Sequence, residues 1–261
     1  MTFQFEPDRL WGMKKIIAIG GGEIGRPGFP TETIAIDKEI IRLTEKKHPT
    51  LLFIPTASGD SGPYCETVKN HFGKKLGCKT EVLYLIKEKP SQQEIKEKIL
   101  SADIIYVGGG NTFRMIKIWK RRGVDKILKQ AYEKGIVLSG LSAGAICWFR
   151  YGNSDSRKSK NPKADLIKVS GLNLISGLLC PHYHSEKDRR QSLKKMMQKT
   201  SGISIALDNC SAIEIIDDEY RIIHSNSKAK AYKVFWRKGK YVEEEIRQRN
   251  DFLQISDLLK K

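Results

Sequence analysis

Three apolar runs in this chain each end on glycine. Lys14–Ile19 (KKIIAI) leads into Gly20-Gly21-Gly22, and Asp103–Val107 (DIIYV) into Gly108-Gly109-Gly110-Asn111. Ile136–Ser139 leads into Gly140-Leu141-Ser142-Ala143-Gly144. Short, continuous, non-alternating apolar runs read as strands buried on both faces. Such strands belong to a parallel sheet whose crossovers carry helices. Further strands are expected at Leu51–Ile54 and Glu81–Leu85, with a helix capped by Thr33 running to about Lys47, one capped by Ser91 running to about Leu100, and others over Tyr64–Lys75, Thr112–Arg121 and Val124–Lys134. The chain therefore predicts an α/β three-layer sandwich, a mostly parallel sheet with helices on both faces. Sites in such sheets lie outside the carboxyl ends of the strands, so the three glycine turns are expected along one edge.

The pattern changes after Tyr151. Gly152–Asp165 is polar and basic and reads as a long surface loop. Leu178–Pro181 reads as a strand leading to His182-Tyr183-His184, followed by a charged helix over Ser185–Lys199. Ile203–Leu207, Ala212–Ile216, Tyr220–His224 and Ala231–Trp236 read as strands, with hairpin turns at Asp217–Glu219 and Lys238–Lys240. The C-terminal third is thus expected to add antiparallel strands to the same sheet or its edge. Without a repeat or a linker, the expectation is one α/β domain over 1–261. It would comprise an N-terminal arm (1–13), a core (14–247) and a C-terminal tail or helix (248–261).

Lys and Arg number 47 against 30 Asp and Glu, a net charge of +17. The basic residues are scattered along helix-like stretches, beside no zinc-finger or RNP-type signature, so a basic solvated surface is favoured over nucleic-acid binding. No apolar run is long enough to span a membrane. The five cysteines are widely spaced and form no CxxC pair, which disfavours a disulfide framework or a metal site. With no export signal, a cytoplasmic protein is expected.

Gly140-Leu141-Ser142-Ala143-Gly144 matches the G-x-S-x-G nucleophile elbow, in which small neighbours permit a sharp strand-to-helix turn and the serine hydroxyl projects at the sheet edge. The amide of Ala143 and one from Gly109 or Gly110 are candidates for an oxyanion hole. Of the five histidines, His182 is the favoured base because it follows an apolar strand, with His184 its rival. The third member is a carboxylate, with Asp208 favoured at a strand end and Asp155 the alternative. Gly20, Gly22 and Gly25 also fit a dinucleotide-binding G-x-G-x-x-G, but Pro27 and Pro30 argue against the helix that motif needs at once.

VGGGNTF (Val107–Phe113), GLSAGA (Gly140–Ala145) and PHYH (Pro181–His184), in this order and spacing, resemble the serine peptidase family of dipeptidase E and cyanophycinase. The resemblance spans about Lys14 to Trp236 and implies a class I glutamine amidotransferase-like fold. It implies Ser142 as nucleophile, His182 as base, and the amides of Gly110 and Ala143 as oxyanion donors. The family's acid aligns with Asn209, next to Asp208, so this chain departs from the pattern there. Either Asp208 substitutes, Asp155 contributes, or activity is weakened. Asn111, Asp155 and Arg189 are the candidate substrate-binding residues. The expected function is a cytoplasmic, cofactor-free serine hydrolase of small peptides, with acidic peptides favoured by the positive charge, acting as a monomer or homodimer. The alternative is a non-catalytic or weakly active binding protein on the same fold, because of Asn209. Amidotransferase chemistry is disfavoured, since that fold normally uses cysteine at the elbow.

Overall fold

The computed structural model describes residues 12–261; most of the expected N-terminal arm lies outside them. The chain runs through β1 (Lys15–Ile19), α1 (Ile34–Arg42), β2 (Thr50–Ile54), α2 (Gly62–Val68), β3 (Lys79–Val82), α3 (Gln92–Ser101), β4 (Ile104–Val107), α4 (Thr112–Arg122), α5 (Val124–Glu133), β5 (Val137–Leu141) and α6 (Ala143–Ile146). It continues through β6 (Phe149–Ser154), β7 (Ile167–Ser170), β8 (Ile175–Cys180), α7 (Arg189–Gln198), β9 (Ser204–Leu207), β10 (Ser211–Ile216), β11 (Glu219–His224), β12 (Ala231–Arg237), β13 (Lys240–Glu245), β14 (Leu253–Gln254) and α8 (Ile255–Leu259).

The main sheet has the order β14-β11-β10-β1-β5-β4-β2-β3. The strands from β1 to β3 in this order are parallel, while β10, β11 and β14 extend the β1 edge antiparallel. Because β1, β5 and β4 are neighbours, their carboxyl ends bring Gly20, Ser142 and Gly108 to one edge, as the glycine turns predict. The C-terminal third does more than extend this sheet. β9, β12 and β13 join β6, β7 and β8 in a second sheet, ordered β13-β12-β9-β8-β6-β7.

Side chains alternate along each strand. On β1, Ile17 and Ile19 face a cluster with Ile36 and Ile40 of α1 and Cys65 and Val68 of α2. Ile16 and Ala18 face the opposite cluster, with Ile99 of α3, Trp119 of α4 and Leu128 of α5. That cluster continues into the second sheet through Phe149, Leu179, Ile205 and Phe235, so one apolar core joins the two sheets. Leu193 and Met197 of α7 cover the second sheet's other face at Leu178, Ala206 and Val234. Each fully buried large aliphatic or aromatic side chain contributes roughly 1.5–3 kcal/mol.

Several boundaries differ from the sequence reading. The helix expected to Lys47 stops at Arg42, and Thr33 donates its hydroxyl to Asp37 Oδ2 (2.7 Å) rather than accepting as a cap. Gly152–Ser154 belong to β6 rather than to the polar loop, which their buried environment in the second sheet explains. The strand expected at Glu81–Leu85 is β3, three residues shorter at its end; Leu83 and Leu85 are buried as loop residues. No helix among the described residues is long and apolar enough to cross a membrane.

Candidate active site

β5 ends at Leu141, and the chain reverses into the four-residue α6 through Ser142, held at φ 54°, ψ −109°. Positive φ is uncommon for a non-glycine residue and costs energy, roughly 1–3 kcal/mol where the region is sparsely populated. The turn is that sharp because α6 packs directly against β4. A Cβ at Gly140 would lie 2.5 Å from the Val107 carbonyl oxygen, and one at Gly144 would overlap the same oxygen. Glycine is therefore required at both positions, and only the serine between them carries a functional group.

His182 follows β8 and also has positive φ, 54°. Its Nε2 lies 2.8 Å from Ser142 Oγ, and its Nδ1 lies 2.7 Å from Asn209 Oδ1. An amide oxygen accepts from Nδ1–H, which leaves Nε2 unprotonated and able to accept the serine hydroxyl proton. Burial pushes the His182 pKa below its usual value. The Asn209 bond opposes this, the Arg189 charge adds to it, and Glu186 and Asp155 oppose it more weakly.

The glycine run after β1 explains how three distant segments meet. His182 N donates to Gly20 O (3.0 Å), Cys210 N to Gly21 O (2.9 Å), and Gly20 N to Ser211 O (2.8 Å). Ser142 N donates to Ile19 O one residue earlier (3.0 Å). A Cβ on Gly21 would overlap both Asn209 Oδ1 and the His182 ring, and one on Gly20 would overlap the Asp208 carbonyl. These glycines let the crossing from β9 to β10, and the turn after β8, lie against the end of β1. Among the described residues the first helix begins at Ile34, well past the glycine run, so the run forms no dinucleotide-binding turn.

Asp208 does not stand behind His182 as expected. Its Oδ1 accepts from the His184 amide (3.1 Å) and contacts His184 Nδ1 (3.0 Å), and its Oδ2 accepts from the Lys230 amide (3.1 Å). The crossing turns between two sheets, so it directs Asp208 to His184 and Asn209 to His182. Arg189, expected to meet substrate, is buried instead. It donates to Glu186 Oε2 and the Asn153 carbonyl (both 2.7 Å) and lies 3.7 Å from Asp155 Oδ2. Asn111 caps α4 by accepting from the Arg114 amide, and its Nδ2 donates to Ser156 O and Ser159 Oγ, pinning the loop after β6. Asp155 lines the open cleft beside Ser142.

Among the described residues, the amides of Gly110 and Ala143 donate to no protein acceptor, whereas the Gly109 amide donates to Tyr64 Oη (3.2 Å). Two clefts meet at Ser142. The larger, about 1260 Å³, carries Arg114, Lys117, Arg157, Lys158 and Lys160 against Asp155 and Asp165. The smaller, about 600 Å³, includes His182 and is walled by the loop after β1 and the start of α2. Sequence reading missed these walls; the local signal for them is Phe29, an aromatic residue set between Pro27 and Pro30. Among the described residues no group of three or more His, Cys, Asp or Glu could hold a metal ion.

The model of peptidase family S51 matches residues 16–223. The Bacillus subtilis (strain 168) protein described as uncharacterized peptidase YgaJ is 37% identical over 235 residues, covering 88% of this chain and 96% of its own. Peptidase E of Nostoc sp. (strain PCC 7120) is 26% identical over 185 residues, covering 66% of this chain and 72% of its own. A crystal structure of a peptidase from an acI-B1 actinobacterium superposes with a TM-score of 0.69 at 19% identity, covering 94% of this chain and 98% of that one, and shares the fold. The chain belongs to peptidase family S51, a family of serine-type peptidases.

Proposed function

We propose that this peptidase hydrolyses small peptides by acyl transfer through Ser142. The observation that carries the reading is the chain of hydrogen bonds from Ser142 Oγ through His182 to Asn209. His182 Nε2 takes the hydroxyl proton as Oγ attacks the scissile carbonyl carbon. The Gly110 and Ala143 amides stabilise the oxyanion, each donor worth about 3–4 kcal/mol in the transition state. His182 returns the proton to the leaving amine as the C–N bond breaks, and water then frees the acyl-enzyme by the same steps in reverse order. Asn209 holds the imidazole tautomer, while Asp208 braces the crossing that carries Asn209. The excess of cations along the larger cleft favours an acidic residue on the acyl side.

A second reading, a weakly active or purely binding protein, is favoured by Asn209 itself. A neutral amide orients imidazole but offers no charge to imidazolium. The deciding measurement is labelling by a fluorophosphonate probe followed by peptide mapping. Labelling at Ser142 in the wild type, lost in His182→Ala, supports acyl transfer; absence of labelling in folded wild type supports the binding reading.

Asn209→Asp tests the same point from the other side. A carboxylate at this position raises the His182 pKa by favouring imidazolium. The base must be neutral to act. The wild-type rate should therefore fall only below pH 6.5, because burial depresses the His182 pKa. In Asn209→Asp the acid limb should move to higher pH while the plateau kcat/KM rises about tenfold, since a carboxylate stabilises the imidazolium formed at the transition state. A pH–rate profile with an unmoved acid limb would rule out Asn209 as the partner of His182.

A further inference from the structure

The two clefts at Ser142 differ in chemistry, and only the smaller includes His182. In acyl transfer the leaving nitrogen must come within hydrogen-bond reach of His182 Nε2, because that atom supplies its proton. The residue bearing that nitrogen then sits on the His182 side. We propose that the cleft between the loop after β1 and α2 is the leaving-group subsite, and that it takes a bulky aliphatic or aromatic side chain. This rests on the acyl-transfer reading above and adds a preference that the reading alone does not contain.

The walls are mostly apolar, Ile24, Pro27, Phe29, Pro63, Tyr64 and Leu141, with the neutral Ser61 and Thr67 beside them. The two charges at the rim neutralise one another. Glu23 accepts from the Gly25 and Arg26 amides (3.0 and 2.8 Å) and pairs with the Arg26 guanidinium (2.6 Å). Neither is left to favour a charged side chain. Phe29 is 59% exposed, with the Arg26 guanidinium 4.9 Å from its ring centroid. A ring left in water by folding regains its hydrophobic contribution when a ligand covers it.

The wall is also pre-formed. Ile24 and Thr31 form an antiparallel bridge, Glu32 N donates to Glu23 O (2.6 Å), and Phe29 N donates to Arg26 O (2.9 Å). Binding therefore orders little new chain, which favours use of the contact area for selection. The cleft on the other side also carries an exposed ring, Phe113, but sets it among the five cations Arg114, Lys117, Arg157, Lys158 and Lys160, so the apolar preference should be strongest at the leaving residue. In acylation the Oγ–C bond forms, the C–N bond breaks, and the proton passes from Oγ through Nε2 to the departing amine; in deacylation water's oxygen bonds the acyl carbon, its proton passes through Nε2, and the Oγ–C bond breaks with the proton returned to Oγ.

The test is kcat/KM for dipeptides with one acyl residue, aspartate, and a leaving residue of Leu, Phe, Gly or Glu, measured on wild type and Phe29→Ala. The expected result is a preference of at least about tenfold for Leu and Phe over Gly, the range apolar pockets deliver. In Phe29→Ala this ratio should collapse toward one. The fluorophosphonate probe brings no leaving residue into the cleft, so labelling shows whether the variant's site survives; where it does not, the wild-type series decides. A flat wild-type series, or a preference for Glu, with Ser142 still labelled overturns the subsite and leaves acyl transfer standing. Failure to label wild-type Ser142 removes acyl transfer, and the subsite with it.

Discussion

Ser142→Gly is expected to abolish hydrolysis while making the protein more stable. Removing the nucleophile of an activated serine costs on the order of 10⁴–10⁶ in kcat, leaving what the oxyanion donors and binding alone supply. The stability change has the opposite sign because Ser142 is held at φ 54°, ψ −109°. Relief of that conformation by glycine gains about 1–3 kcal/mol. The greater freedom of glycine in the unfolded chain costs about 0.5–1 kcal/mol. The lost contact to His182 opens onto a cleft, where water can replace it. The balance is about +1 kcal/mol, a rise in Tm of roughly 2–4 °C. Ser142→Ala removes the same hydroxyl but keeps Cβ, so it should lose activity without the gain in Tm. A thermal melt of both variants beside the wild type reads the difference. Equal Tm values for Ser142→Gly and Ser142→Ala would mean that the turn stores no strain.

Gly21→Ala is expected to lower kcat/KM by at least about 100-fold without replacing any group in the reaction. Its Cβ would overlap Asn209 Oδ1 and the His182 ring, and glycine's φ there is +153°. The side chains must move apart, and a displacement of about 1 Å at a reacting group costs roughly that factor. The overlap is with side chains rather than with backbone, so the loss should appear first as slower labelling of Ser142 in a protein that still melts cooperatively. Gly62→Ala is the control, because a Cβ there meets nothing within 4 Å. Unimpaired labelling of Gly21→Ala would show that His182 and Asn209 do not rely on that close approach.

Both predictions turn on features of unequal visibility in the sequence. The parallel strands were legible, because β1, β4 and β5 are continuous apolar runs ended by glycines. The turn carrying Ser142 was legible too, since residues at the tight approach of α6 to β4 must be small. His182 stood out through its place after the apolar β8 and Pro181. The glycine run after β1 was misleading: the spacing of Gly20, Gly22 and Gly25 imitates a nucleotide-binding turn, whereas Gly20 and Gly21 must be glycine because of segments more than 150 residues away.

By itself the sequence determined what local physics controls, namely which segments are buried strands, where the chain can turn sharply, and which serine stands at such a turn. Only the tertiary structure decided the partner of His182. Asp208 and Asn209 are adjacent in the chain, and their side chains are separated by the crossing from the second sheet to the first. The paths of β9 and β10 set that crossing, directing the carboxylate to His184 and the Lys230 amide and the amide oxygen to His182. Arg189 reads as one charged residue within a charged helix, yet docking of α7 on the second sheet buries it among Glu186, Asn153 and Asp155. Both outcomes depend on contacts between segments far apart in the chain, which no local pattern of residue types encodes.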